Sequence, residues 1–238
     1  KRHKRVLALW ERYRETGHLY SEPGYLLSAF RSPSDSSLQP FSVFIPETFN
    51  SDEPVDLLLA LHGSGVDEIH TARGWGRRFS SDNVIVAAPR GRDLSSWYMG
   101  KTEEDVVDLV MMLKEMFEVN RTVCSGFSMG GYGTWRLTLL YPELFDAGVI
   151  ISGTPVPWQG EGREGDLRIK KWNQQDIPYL VIHSTDDHAL PIETTDSWVG
   201  ELVEEGYQIS YIRKEGGGHG NINFTAEVRK WLADIFDE

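Results

Sequence analysis

The sequence predicts an α/β fold: a mostly parallel central sheet with helices on both faces. Three observations predict it. Short apolar runs such as Leu57-Leu58-Leu59-Ala60-Leu61 are continuous rather than alternating, as expected of strands covered on both sides. Helical patterns fall between those runs, so strands and helices alternate along the chain. One run, Thr122-Val123-Cys124-Ser125, passes through Gly126-Phe127-Ser128-Met129-Gly130 directly into a helical pattern. Glycines two before and two after a serine suit a sharp strand-to-helix turn that exposes the hydroxyl at a helix N-terminus. There the free N–H groups and the helix dipole favour developing negative charge.

In chain order, residues 6–15 read as a short amphipathic helix, with Val6, Leu9, Trp10 and Tyr13 on one side and Gly17 ending it. Residues 25–30 and 41–45 are strand candidates joined by the turn-rich stretch 32–37. Continuous apolar strands are predicted at 56–62, 84–89, 122–125, 147–151 and 179–183, and an alternating edge strand at 208–213. Helices are predicted at 103–117, 129–141, 194–206 and 224–236, and His70 falls in a predicted loop. The stretch 154–176, rich in glycine, proline and charge and carrying Trp158 and Trp172, breaks the alternation. It reads as a surface excursion or as a small cap over a site, with the cap favoured because long loops in compact domains are commonly functional. The expected organisation is one domain over 1–238, with residues 1–40 an N-terminal helix and hairpin extension and 154–176 the candidate cap insertion.

At 238 residues with 40% hydrophobic content, the chain can bury one sizeable core. The net charge of -12 makes nucleic acid and anionic membranes poor partners, and no apolar run reaches the length of a membrane span. The single cysteine, Cys124, sits inside an apolar strand and reads as a buried, inert thiol. No Cys/His cluster has zinc spacing, so no metal or cofactor is expected. The basic start, Lys1-Arg2-His3-Lys4-Arg5, is not followed by a signal-peptide pattern. These features favour the cytoplasm while leaving compartment and oligomeric state open.

A serine hydroxyl needs a base, and the base needs an orienting group. Of seven histidines, His219 stands out, because it follows the last strand in Glu215-Gly216-Gly217-Gly218-His219-Gly220, where the glycines give it freedom to swing over a serine. Asp186 and Asp187 follow the strand ending at His183, and either carboxylate could accept the imidazole N–H. Leu61-His62-Gly63-Ser64-Gly65 also leaves a strand. Its N–H groups, with that of Met129, are candidate oxyanion donors. Trp97, Tyr98, Trp158 and Trp172 are candidate loop aromatics walling a substrate pocket.

From about residue 41 to the C-terminus, these motifs resemble the α/β-hydrolase superfamily. They are most similar to the branch holding feruloyl and acetylxylan esterases, polyhydroxybutyrate depolymerases and the phospholipase/carboxylesterase group. The resemblance implies a serine esterase working through Ser128, Asp187 and His219. In that branch's His-Gly-x-x-Asp-x-x-Val-Pro pattern the acid lands on Asp187. Ser184 and Leu190 depart from the pattern's glycine and valine, which keeps Asp186 in play. The resemblance further implies Ser64 and Met129 as oxyanion donors, and feruloyl or acetyl esters of plant polysaccharide as substrates. A peptidase of the same fold and a non-catalytic binding protein are the rival readings.

Overall fold

In a computed structural model describing residues 23–157, 166–169 and 177–236, the apolar runs assemble into one eight-stranded sheet. Its strands are β1 (Gly24–Arg31), β2 (Leu38–Ile45), β3 (Val55–Leu61), β4 (Val84–Pro89), β5 (Val119–Phe127), β6 (Ala147–Ile151), β7 (Tyr179–Ser184) and β8 (Ile209–Lys214). The spatial order is β1-β2-β4-β3-β5-β6-β7-β8. β2 runs antiparallel to both β1 and β4, and every other pairing is parallel. The predicted helix at 6–15, Trp158 and Trp172 lie outside the described residues.

Among the described residues five α-helices cover the sheet: α1 (Glu68–Arg78), α2 (Lys101–Met116), α3 (Met129–Leu140), α4 (Ile192–Glu204) and α5 (Thr225–Phe236). The strand pleat sorts the core. Leu59, Leu61, Cys124, Ile150 and Val181 face one way, against Val106 and Val110 of α2, Trp135 of α3 and Trp198 of α4. Leu58, Ala60, Val123, Val149 and Ile182 face the other, against Ala72 and Trp75 of α1 and Val228 and Trp231 of α5. This two-sided burial is what the continuous apolar runs encode.

Helix α1 corrects the sequence reading, which left this segment a loop containing His70. Gly74 and Gly76 weaken its helical signature, yet Asp67 caps it by accepting from the His70 N–H at 2.8 Å. Tertiary contact needs Gly76, because a Cβ there would lie 2.6 Å from the Phe44 ring. The described part of 154–176 is anchored rather than free. Leu167 is fully buried in the core, and its N–H bonds the Pro155 carbonyl at 2.9 Å. Cys124 is buried, and burial pushes its thiol up to about 12, so it stays protonated and unreactive.

The order of the sheet creates the site. The chain steps from β3 outward to β4, then returns past β3 to β5, so the loops leaving adjacent β3 and β5 diverge to opposite faces. Such a reversal opens a crevice at the C-terminal ends of parallel strands.

Candidate active site

Ser128 lies between β5 and α3 with φ 56° and ψ −117°, a conformation that non-glycine residues rarely adopt. The flanking glycines make this turn possible. A Cβ on Gly126 would lie 2.1 Å from the Gly130 carbonyl oxygen, and one on Gly130 would lie 2.1 Å from the Leu61 carbonyl oxygen. The Ser128 N–H is tied to the Ile151 carbonyl of β6 at 2.9 Å. The strained residue is thus held by the sheet itself.

The structure brings two distant residues into line with Ser128. His219 Nε2 is 2.8 Å from Ser128 Oγ, and His219 Nδ1 is 2.7 Å from Asp187 Oδ2. Gly216, Gly217 and Gly218 all have positive φ (76°, 100° and 53°), so the loop that swings His219 over the serine needs its glycines. Phe127 supports the ring from the side, with centroids 5.0 Å apart.

The Asp187 carboxylate accepts four hydrogen bonds. Its Oδ1 accepts from the Ala189 and Leu190 N–H groups, both at 2.9 Å. Its Oδ2 accepts from His219 and also from His183 Nε2 at 3.1 Å. Burial works to raise the Asp187 pKa, but the Leu190 N–H and the two histidines outweigh it, and the carboxyl sits below its ordinary value.

His183 has no exposed surface, and its tautomer follows from its partners. Nε2 faces two acceptors, Asp187 Oδ2 and the Leu190 carbonyl at 2.9 Å, so Nε2 must carry the proton. Nδ1 then accepts from the Thr195 hydroxyl of α4 at 2.9 Å. Burial lowers the His183 pKa, which keeps the ring neutral in this arrangement. Sequence reading placed His183 at the end of a buried strand and as the histidine of the pattern that locates Asp187, and gave its ring no role. Its spacing of four before Asp187 was the available signal.

Asp186, the competing acid, does not reach His219. Its Oδ1 accepts from the Gly218 N–H at 2.9 Å and from the Ser184 hydroxyl. Ser184 Oγ also lies 2.8 Å from the Gly216 carbonyl. The two adjacent aspartates divide the work, one meeting the imidazole and the other the backbone of its loop.

Beside β5, the loop after β3 carries Ser64. Gly65, at φ 79°, donates its N–H to the Leu94 carbonyl at 2.8 Å, and Ser64 Oγ lies 2.8 Å from Ser95 Oγ. Among the described residues, the N–H groups of Ser64 and Met129 bond no other backbone group. The His62 ring is clamped between the Gly63 and Arg90 carbonyls at 3.0 and 2.9 Å.

Tyr98 and Trp97 correct the expectation that they wall a substrate pocket. Tyr98 has no exposed surface; its hydroxyl donates to the His62 carbonyl at 3.1 Å, and a Cβ on Gly133 would lie 2.4 Å from its ring. Trp97 is 7% exposed and packs edge-on against Tyr132 at 5.7 Å. A loop position in sequence does not reveal that a ring turns inward. Here the fit of the Tyr98 hydroxyl to a carbonyl of the site loop decides it. Among the described residues, no cluster of three or more His, Cys, Asp or Glu side chains is placed to hold a metal ion.

Residues 37–231 match the Esterase family, described as "Putative esterase". The chain belongs to this esterase family. No match was found among curated protein sequences. Among solved structures it is similar to a thermostable esterase (TM-score 0.69, 24% identity), with 88% of this chain covering 62% of that one. It is also similar to a ferulic acid esterase from Anaeromyces mucronatus (TM-score 0.67, 16% identity; 86% of this chain, 87% of that one). A third likeness is to oligopeptidase B from Leishmania major (TM-score 0.66, 16% identity; 82% of this chain, 33% of that one). At these identities the structural likenesses establish the α/β-hydrolase fold, and the chain spans less than two thirds of the length of the thermostable esterase.

Proposed function

We propose that this chain hydrolyses carboxylic esters through an acyl-enzyme. The observation that carries this reading is the continuous hydrogen-bonded line from Ser128 through His219 to Asp187. Ser128 Oγ attacks the ester carbonyl carbon while its proton passes to His219 Nε2. The N–H groups of Ser64 and Met129 receive the oxyanion. The bond to the alcohol oxygen breaks, and that oxygen takes the proton from His219. Water then attacks the acyl carbonyl, giving its proton to His219; Ser128 regains a proton as the acid leaves. Asp187 keeps the imidazole oriented and stabilises its charged form.

Membership of the esterase family supports the reaction class. The finer reading is a feruloyl or acetyl ester of plant polysaccharide. Since Trp97 and Tyr98 are packed inside, support for an aromatic group now comes from Trp75, Phe127 and Phe224, which line a pocket beside Gly63 and Gly220.

The test is hydrolysis of p-nitrophenyl acetate, methyl ferulate and a matched anilide by the wild type and Ser128→Ala. Turnover of the esters by the wild type alone supports the reading. Full activity in Ser128→Ala removes Ser128 as nucleophile, and faster cleavage of the anilide than of its ester favours the peptidase alternative.

A further inference from the structure

The pocket beside the triad has a volume of about 220 Å3. Its floor is apolar, formed by Trp75, Phe127 and Phe224, and one cation, Arg78, lines it. Arg78 ends α1. Its Nε donates to Thr225 Oγ1 at 3.0 Å and its Nη1 to the Gly74 carbonyl at 2.7 Å. The guanidinium carbon lies 4.8 Å from the Phe224 ring centre and 5.9 Å from that of Trp75. Neighbouring arginines have acidic partners: Arg90 pairs with Glu68 and Arg229 with Asp82. Among the described residues no carboxylate pairs with Arg78, in a chain carrying net charge -12. Burial and the nearby Arg77 lower its pKa, yet a guanidinium remains charged at neutral pH. Among the described residues no hydrogen bond engages Arg78 Nη2, and a partly buried cation so placed is matched by an anion arriving with the ligand.

The pocket also has a defined side. Gly220 adjoins His219, and the Phe127 ring packs on the His219 ring. His219 must hand its proton to the leaving oxygen, so the leaving alcohol lies on this side of the site. We propose that the pocket receives the alcohol portion of the ester, and that Arg78 binds a carboxylate or phosphate carried on that alcohol. The alcohol-side assignment rests on the hydrolase reading above; the anion site rests on Arg78 itself.

The experiment measures binding by calorimetry to Ser128→Ala, which separates recognition from cleavage. The probes are 4-acetoxybenzoate, with a carboxylate on the alcohol side, and the neutral 4-acetoxybenzamide. The benzoate is expected to bind about 10-fold tighter, the scale of one charge-assisted contact. Adding Arg78→Met should bring the ratio to about 1, while Arg78→Lys, which keeps the charge, should retain part of it and serves as the control for folding. Equal affinities for the two probes, or a preference that survives Arg78→Met, overturns the proposal. A third probe, the mono-p-nitrophenyl ester of succinic acid, carries its carboxylate on the acyl side. A stronger Arg78-dependent gain there than on the alcohol side overturns the assignment of side. Cleavage of 4-acetoxybenzamide by the chain with Ser128 intact is scored separately. Selective binding without any cleavage upholds the anion site and fails the hydrolase reading.

Discussion

Replacing His183 should weaken the reaction without touching substrate. The ring is fully buried, so no ligand can reach it, but its Nε2–H supports Asp187 Oδ2 at 3.1 Å. His183→Leu keeps roughly the same volume and removes three contacts: those to Asp187, the Leu190 carbonyl and the Thr195 hydroxyl. A hydrogen bond to a charged group contributes about 1.5–3 kcal/mol, and the unpaired carbonyl adds about 1 kcal/mol, so a stability loss of about 3 kcal/mol is expected. Asp187 still keeps His219 and two N–H donors. The effect on kcat should therefore be about 10-fold, or about 1.4 kcal/mol in the barrier. That is far milder than removing the acid itself, which costs about 10⁴-fold in a related triad. KM should hold within about twofold, since binding is untouched. His183→Gln places an amide N–H at similar reach and should recover much of kcat. The assays are steady-state hydrolysis of p-nitrophenyl acetate and denaturant unfolding of each variant. Unchanged kcat in a folded His183→Leu, or a glutamine variant no better than leucine, refutes the reasoning.

Three further outcomes are expected. Tyr98→Phe leaves the His62 carbonyl without its partner and should cost about 1–3 kcal/mol by denaturant unfolding, with KM held within about twofold; a large KM change would restore Tyr98 to the pocket wall. Asp186→Asn weakens the hold on Gly218 N–H and should lower kcat several-fold, with crystallographic or NMR evidence of a looser His219 loop; wild-type kcat would show that the loop holds itself. Acid should destabilise the protein in two stages. His183 has a folded pKa below its ordinary 6.5, so the unfolded chain takes up the proton first, and stability falls as pH drops below about 6.5 toward the folded value. Asp187, also depressed, contributes stability above its ordinary 3.8 that is lost as pH falls through its lower folded value. Thermal unfolding from pH 8 to 3 tests this, and His183→Gln should remove the first stage.

The residues that were legible in sequence share one property: their chemistry is written into local spacing. Gly126 and Gly130, flanking Ser128, announce the strand-to-helix turn because a Cβ at either would collide with backbone. His219 is announced by glycines whose positive φ values nothing else adopts cheaply. The core strands are legible because burial on both faces leaves no polar alternation. Helix α1 is obscured because it carries two glycines, of which Gly76 answers to the Phe44 ring rather than to helix propensity. Trp97 and Tyr98 are not legible as inward-facing because their orientation depends on distant partners, the Tyr132 ring for Trp97 and the His62 carbonyl for Tyr98.

The acid turn shows most clearly where spacing stops being informative. Two adjacent carboxylates look equivalent in sequence, and the turn after β7 gives them opposite fates: Asp187 points inward to His219 and His183, Asp186 outward to Gly218. Ser184, where the resembling pattern has glycine, sits between Asp186 and the Gly216 carbonyl. The departure from the pattern thus lies in the contact that joins the acid turn to the base loop. Both loops leave neighbouring parallel strands, β7 and β8, and their geometry depends on that pairing. A glycine at 184 would leave Asp186 with the Gly218 N–H as its remaining tie to the His219 loop. The position of the base over Ser128 is therefore set by Asp187 and supported by three further residues, Ser184, Asp186 and His183, that never touch the nucleophile.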